Sequence, residues 1–217
     1  GIQARLLLEK ALQALVRDGA MISDEVIGGD DEVDTLYLDV ERRILELFAL
    51  QTPVASDLRL LTALLHINMH LERIADQAVN IAKITKLVDG LPRDPEVVQH
   101  LEEMGAVAVR MVETAMDALA RRDLELACKL PKMDDPIDRL NRGMLQQVLE
   151  ASDDKRMLEW GIRMHVVSRQ IERIGDNAVD IGEQVAFVVT GEFREFTDAS
   201  HPEVEHPELL ERGESPN

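Results

Sequence analysis

The chain of 217 residues is 45% hydrophobic and 30% charged, which is the composition of a soluble globular protein. Aromatic residues make up only 3%, and this favours helices over sheets. The formal net charge of -18 repels phosphate backbones, so it argues against nucleic-acid binding and favours cations or basic partner surfaces.

The sequence also gives expectations about the compartment. The only cysteine, Cys128, cannot form an intramolecular disulfide, which fits a reducing, cytoplasmic setting. The first residues carry charges too early for the apolar region of a secretory signal, and no stretch approaches the roughly 20 apolar residues of a membrane span. We therefore expect a cytoplasmic protein with no direct membrane span.

Taken in chain order, the apolar and breaker patterns predict six helices, three in each half. In the first half they run to about residue 28, over 31–51 and over 57–89, and in the second half over 94–129, 134–151 and 154–190. Pro53 followed by Ser56 or Asp57 predicts a turn and a helix N-cap, and DGLPRDPE (89–96) predicts a break between the halves. The predicted fold class is all-α, with two tandem three-helix bundles.

We expect residues 1–90 to form the first bundle and residues 91–190 the second, with an acidic, flexible tail over 191–217. The first helix is shorter than its twin in the second half, as if the chain started inside that helix. The last helix of each half carries apolar residues at three- and four-residue steps, which is typical of a bundle seam. These residues are Leu64, Ile67, Leu71, Ile74, Ala78 and Ile81, and then Trp160, Met164, Val167, Ile171, Ile174, Ala178, Ile181 and Val185.

The two halves resemble each other in sequence, which indicates a tandem repeat. A shift of 104 residues aligns EKALQALVRDG (9–19) with ETAMDALARRD (113–123), and DDEVDTL (30–36) with DDPIDRL (134–140). A shift of 100 residues aligns HLERIADQAVNIAK (70–83) with QIERIGDNAVDIGE (170–183). A helix needs an apolar face, but it does not need the same charged residues at the same places in both copies.

The repeated charges are carboxylates. Glu72 and Asp76 stand one helical turn apart at the edge of the apolar arc, and Asp30 and Asp34 have the same spacing at the start of the preceding helix. The second half repeats the set with Asp134, Asp138, Glu172 and Asp176, and it adds Asp180 where the first half has Asn80. Two antiparallel helices with such pairs would bring four carboxylates to one rim.

Like charges at one rim are unfavourable unless something neutralises them. Carboxylate-rich sites suit iron, manganese, magnesium or calcium and accept zinc, so the pattern predicts a site for a multivalent metal ion in each half. The alternative is that these carboxylates are solvated or paired with neighbours such as Arg73 or Arg173.

Small residues recur beside the carboxylates, and they predict close helix packing. Ala75, Ala78 and Ala82 match Gly175, Ala178 and Gly182. A glycine inside a helix costs about 1 kcal/mol relative to alanine, so a close contact would explain Gly175 and Gly182.

Histidines give a weaker signal. His66 and His70 have a spacing that could bind zinc, but their helical direction predicts that they lie in the polar arc, away from Glu72. His165 shares the side of Glu172, which would suit an outer metal ligand, but we expect it to be a partly buried structural residue.

Motifs of catalysis are missing from the sequence. It has no glycine-rich phosphate loop and no H-E-x-x-H motif. The E-x-x-H spacing of di-iron proteins occurs at Glu203 and His206, in the proline-flanked tail rather than on a core helix. We therefore expect a protein that is not an enzyme.

On these residues the chain resembles the PhoU family, accessory and regulatory proteins of phosphate-specific transport. The resemblance rests on two three-helix halves, each with ERIxDxAVxI on its last helix and D-x-x-x-D at the start of the middle one. The segment TPVASDLRLL (52–61) is also similar to that family's turn into its third helix. Together these features cover nearly all of residues 1–190.

Membership in that family would imply a cytoplasmic negative regulator of phosphate uptake and of the phosphate-starvation response, the Pho regulon. Its partners would be the ATPase of the phosphate ABC transporter and a sensor histidine kinase. The resemblance is also compatible with a homodimer. Some members carry iron or zinc clusters on the bundle surface. The residues that match those ligands here are Asp30, Asp34, Glu72 and Asp76, and Asp134, Asp138, Glu172 and Asp176. Asp180 is a further candidate ligand from the comparison of the two halves, not from the resemblance.

Two other function classes stay open at this point. One is a carboxylate-bridged metalloenzyme, which would consume oxygen when ferrous iron is added. The other is a metal-free helical adaptor, in which replacing the carboxylates would change neither metal content nor signalling.

Overall fold

The computed structural model describes residues 1–17, 19–150 and 154–196, and these residues form helices without any strand. The helices, in chain order, are α1 (Ile2–Arg17), α2 (Ala20–Gly28), α3 (Asp30–Gln51), α4 (Ala55–Leu87), α5 (Pro95–Arg121), α6 (Leu124–Ala127), α7 (Leu130–Glu150) and α8 (Lys155–Thr190). The predicted all-α fold with two tandem repeats is confirmed. Among the described residues, no helix is long and apolar enough to cross a membrane.

The first predicted helix of each half is divided in two. In the first half the break falls at Gly19, between α1 and α2, and in the second half it falls at the equivalent Asp123, between α5 and α6. Arg122 adopts a left-handed conformation that ends α5, and the Asp123 carboxylate then accepts the backbone N–H of Leu126. The apolar periodicity continues across both breaks, so it predicts one helix where the backbone forms two.

Other boundaries are set by local chemistry. Asp94 caps α5 by accepting the backbone N–H groups of Glu96 and Val97, and Pro95 occupies the first helical position. The predicted cap at Ser56 or Asp57 is wrong, because α4 begins at Ala55 after an N-cap at Val54 that has no side-chain hydrogen bond.

One hydrophobic core joins the two halves. α4 and α8 pack against each other, α1 packs on α4 and on α5, and α7 packs on α5 and on α8. The contacts of Arg59 with Gly191 at one end and of Arg156 with Gly90 at the other show that α4 and α8 run antiparallel. Every predicted seam residue of α8 is buried, and in α4 only Leu64 and Leu71 are partly exposed.

Close packing between α7 and α8 depends on Gly161. A Cβ at this position would lie 2.5 Å from Val148 Cγ1, whereas a Cβ at Gly143, on the solvent side of α7, would meet nothing within 4 Å.

We expect Gly161→Ala to lower the free energy of unfolding by about 1–3 kcal/mol, because the buried valine must move. Gly143→Ala is the matched control, and it should raise the free energy of unfolding by roughly 0.5–1 kcal/mol through helix propensity. Urea denaturation of both variants gives the comparison. Equal effects in the two variants would contradict the close packing of Gly161 against Val148.

Candidate functional site

The structure brings the four first-half carboxylates to one rim, between α3 and α4. Asp30 begins α3, and Asp34 follows one turn later. Burial raises the pKa of Asp30, and the charges of Asp34 and Asp76 raise it further, while Lys83 opposes them. Burial, then Asp76 and Asp34, raises the pKa of Glu72 in the same way. We call Asp30, Asp34, Glu72 and Asp76 the first carboxylate cluster.

The equivalent rim between α7 and α8 holds the second carboxylate cluster, defined as Asp134, Asp138, Glu172 and Asp176. α7 starts at Leu130, about one turn earlier than predicted, so Asp134 lies within the helix rather than at its start. This places its carboxyl group deeper in the bundle than that of its first-half equivalent, Asp30, which is only half-buried.

Asp134 is the most unusual residue of the second cluster. It is only 8% exposed, and its Oδ1 has no hydrogen-bond partner. A Cβ at residue 175 would lie 2.2 Å from that oxygen, so Gly175 provides the space in which the carboxyl group sits. Burial, then the charges of Asp138 and Asp176, raises the pKa of Asp134 to about 8. A buried carboxyl group without a partner is costly unless it is protonated or meets a cation.

Neighbouring arginines partly neutralise the other members of the second cluster. Burial, followed by the charges of Glu172 and Asp138, raises the pKa of Asp176 to about 6. Arg169 lies 2.7 Å from Glu172 Oε1, and Arg142 lies 3.5 Å from Asp138 Oδ2. Both arginines are more exposed than the carboxylates they pair with, so they lie on the outer side of the rim.

Asp180 lies one turn beyond the second cluster and also faces α4. Its Oδ2 is 3.4 Å from His70 Nδ1, and the same nitrogen is 2.8 Å from Asn177 Oδ1. Burial raises the pKa of Asp180, and the charges of His70 and Arg73 act against this rise. Asp180 therefore contributes to the contact between the two halves as well as to the charge beside Asp176.

The expectation that His70 lies in the polar arc is wrong. His70 is 7% exposed and is buried between α4 and α8, whereas His66 is exposed. Its hydrogen bond to Asn177 gives it a structural role. His165 is partly buried, as expected, and its Nδ1 has no hydrogen-bond partner.

The carboxylate clusters are not preformed metal sites. Within the described ranges, no three His, Cys, Asp or Glu side chains are arranged so that they could hold a metal ion. Metal binding by the two clusters, and by Asp180, therefore stays a prediction.

Two further residues that change the charge of the clusters lie outside the repeated carboxylate motif. The charge of Lys83 partly offsets the rise in the pKa of Asp30, whereas the equivalent residue on α8 is an acid, Glu183. Burial raises the pKa of Glu183 to about 7, and Asp180 adds to this. The alignment of the two repeats shows this difference in charge, because Lys83 in the first copy aligns with Glu183 in the second.

Fold and site together define a class: helical proteins made of two tandem repeats, each with a carboxylate cluster at the same rim. The PhoU domain model matches residues 3–85 and 101–185, one repeat each. The chain belongs to the PhoU family.

Two relatives and one solved structure agree with the assignment to the PhoU family. The chain is 29% identical over 200 residues to a phosphate-specific transport system accessory protein PhoU homolog of Clostridium acetobutylicum, with 91% of each chain covered. It is 32% identical to the homolog of Aquifex aeolicus, covering 95% of this chain and 89% of that one. The crystal structure of PhoU from Pseudomonas aeruginosa superposes with a TM-score of 0.81 at 28% identity, covering 88% and 91%.

Proposed function

We propose that this protein is a cytoplasmic accessory protein of a phosphate-specific transport system, and that it represses the phosphate-starvation response when phosphate is plentiful. The observation that carries this proposal is the match to accessory proteins of that name over nine-tenths of both chains. In this role the protein links the ATPase of the phosphate ABC transporter to a sensor histidine kinase. It acts by binding proteins rather than by catalysing a reaction.

We further propose that the carboxylate clusters bind multivalent metal ions, with iron and zinc as the first candidates. The donors suit this chemistry, since carboxylate oxygens are ligands for hard and borderline cations. The unpartnered Asp134 Oδ1 supports it, because a cation would supply the missing partner. Asp134, Asp138, Glu172 and Asp176 would hold the ion in the second half, and Asp180 would add negative charge.

Binding requires some rearrangement of the rim. Glu172 must exchange its contact with Arg169 for the metal, and Asp138 must do the same with Arg142. Both ion pairs are exposed on the arginine side, and exposed pairs contribute only about 0–1 kcal/mol each. Their loss is therefore a small barrier to metal binding.

Alkaline phosphatase activity in phosphate-rich medium tests the regulatory proposal. The gene is deleted and complemented with wild type or with a variant in which Glu72, Asp76, Glu172 and Asp176 are replaced by alanine. We expect deletion to turn the enzyme on and wild type to restore repression. A deletion that leaves the enzyme off would contradict the regulatory role.

The four-alanine variant then separates the regulatory role from the role of the carboxylates. If the folded variant fails to repress, the carboxylate clusters are part of the regulatory surface. If it represses as well as wild type does, the regulator stands and the clusters are a solvated rim.

A further inference from the structure

Residues 191–196, which we call the strap, fold back onto the second half after α8. Gly191 ends α8 with φ of 77°, a conformation that favours glycine, and so reverses the chain. The backbone N–H of Glu192 then donates to Thr190 Oγ1, and the Phe193 ring lies 4.9 Å from that of Phe187. The strap begins beyond residue 185, where the PhoU domain match ends.

Phe196 is the anchor of the strap. Its ring packs in a small apolar cluster at the corner of α5, α6 and α8, separate from the main core. The buried residues there are Ala118, Ala127 and Val185. A Cβ at Gly182 would lie 3.2 Å from the Phe196 ring, so the bare glycine forms part of the floor of this groove. The backbone N–H of Phe196 donates to Glu183 Oε1 at 2.5 Å.

One acidic residue of the strap lies near two acids of α8. Glu195 lies near enough to Asp180 and Glu183 for its negative charge to raise the pKa of both. The strap thus places an acid beside two other acids, while its anchor consists of one aromatic ring and one backbone hydrogen bond. Phe193 is still 60% exposed. The groove therefore fits the aromatic side chain and backbone of the strap but not the charge of residue 195.

We propose that the groove between α5, α6 and α8 is a docking site for an extended segment of a partner protein in which a basic residue precedes an aromatic one, and that the strap occupies this groove in the unbound protein. The aromatic side chain replaces Phe196, its backbone N–H donates to Glu183, and the basic residue faces Asp180 and Glu183. This site lies beside the second carboxylate cluster, because Asp180 adds negative charge to both.

Fluorescence anisotropy with labelled peptides tests the proposal on the full chain. The probes are the strap sequence itself, TGEFREF, its E195K form TGEFRKF, and its F196A form TGEFREA. The proteins are wild type, in which the strap competes, and Phe196→Ala, in which the groove is vacant. Phe193→Ala is the matched control, since it also removes a phenylalanine of the strap but leaves the anchor.

We expect TGEFRKF to bind Phe196→Ala at least about tenfold more tightly than wild type or Phe193→Ala, because the tethered strap acts as a competitor at high effective concentration. TGEFREF should bind about fivefold more weakly than TGEFRKF, and TGEFREA should not bind. Equal binding to all three proteins, or no binding to Phe196→Ala, would overturn the proposal. A wild-type dimer that Phe196→Ala dissociates would overturn it in favour of strap exchange between two copies.

Hydrogen exchange provides a second test if Phe196→Ala does not fold. The amide of Phe196 should exchange at least about tenfold faster in Glu183→Ala than in wild type, and more slowly in Glu195→Gln, which removes the opposing charge. Unchanged exchange in both variants would refute docking of the strap at this groove.

Discussion

Asp134→Asn should make the metal-free protein more stable at pH 8 and should also abolish metal binding in the second half. In the folded protein the pKa of Asp134 is raised from 3.8 to about 8, so the native state binds this proton more tightly than the unfolded chain does. Each pKa unit corresponds to about 1.4 kcal/mol, so we expect a gain of about 2–4 kcal/mol at pH 8. Thermal denaturation in the presence of a chelator measures it.

The raised pKa of Asp134 also determines how the stability of the metal-free protein depends on pH. A carboxyl group with a raised native pKa costs no stability below its unfolded pKa, and the cost grows as pH rises through the interval from 3.8 to about 8. The shifts of Asp176, to about 6, and of Glu183, to about 7, have the same sign. Metal-free wild type should therefore lose stability between pH 5 and pH 8, and Asp134→Asn should lose less.

Asp30→Asn is the matched control, because Asp30 occupies the equivalent position but is only half-buried. Its effect at pH 8 should be much smaller than that of Asp134→Asn. If Asp134→Asn destabilises the metal-free protein at pH 8, the carboxyl group is not an unpaired, costly group, and the argument for a cation partner fails.

The second carboxylate cluster should bind metal more tightly than the first. The second cluster has Asp180 and Glu183 nearby, whereas the first has Asn80 and Lys83 at the equivalent positions. A more negative, more buried cluster binds a cation more tightly. We expect the paired substitution Glu172→Gln with Asp176→Asn to weaken the tightest metal site at least about 100-fold, an effect at the upper end of those seen when metal sites lose supporting groups.

The first-half pair, Glu72→Gln with Asp76→Asn, is the matched control and should leave the tightest site intact. Lys83→Gln should strengthen the first-half site by about fivefold, because it removes the positive charge near Asp30. Titration calorimetry with zinc, and with ferrous iron under anaerobic conditions, resolves the two sites. A tightest site that disappears with the first-half pair would contradict this ranking.

The repeat made much of this architecture predictable. The alignment of the ERI segments predicts two similar helical halves, and the spacing of Glu72 and Asp76, with their second-half equivalents, predicts carboxylates at the edge of the buried face. Both features depend on helix geometry within one half, which sequence periodicity describes well. Gly175 and Gly182 were also predicted to mark close packing, and each lies where a side chain would meet a neighbour.

Features that depend on contacts between elements were not predictable in this way. Periodicity places His70 in the polar arc because it treats α4 as an isolated helix, whereas α8 of the other half covers that side. The depth of Asp134 depends on the early start of α7 and on the space at Gly175. The strap was expected to be part of a flexible tail, yet residues 191–196 pack on the bundle through Phe196, and residues 197–217 lie outside the described part of the chain.

Elemental analysis of the natively purified protein tests most directly whether the repeated carboxylates bind metal. The protein is purified without chelators, and its iron, zinc, manganese, magnesium and calcium are measured per chain in wild type and in the variant with alanine at Glu72, Asp76, Glu172 and Asp176. We expect stoichiometric iron or zinc in wild type and its loss in the folded variant. Wild type that is metal-free and binds neither added iron nor added zinc would contradict the claim.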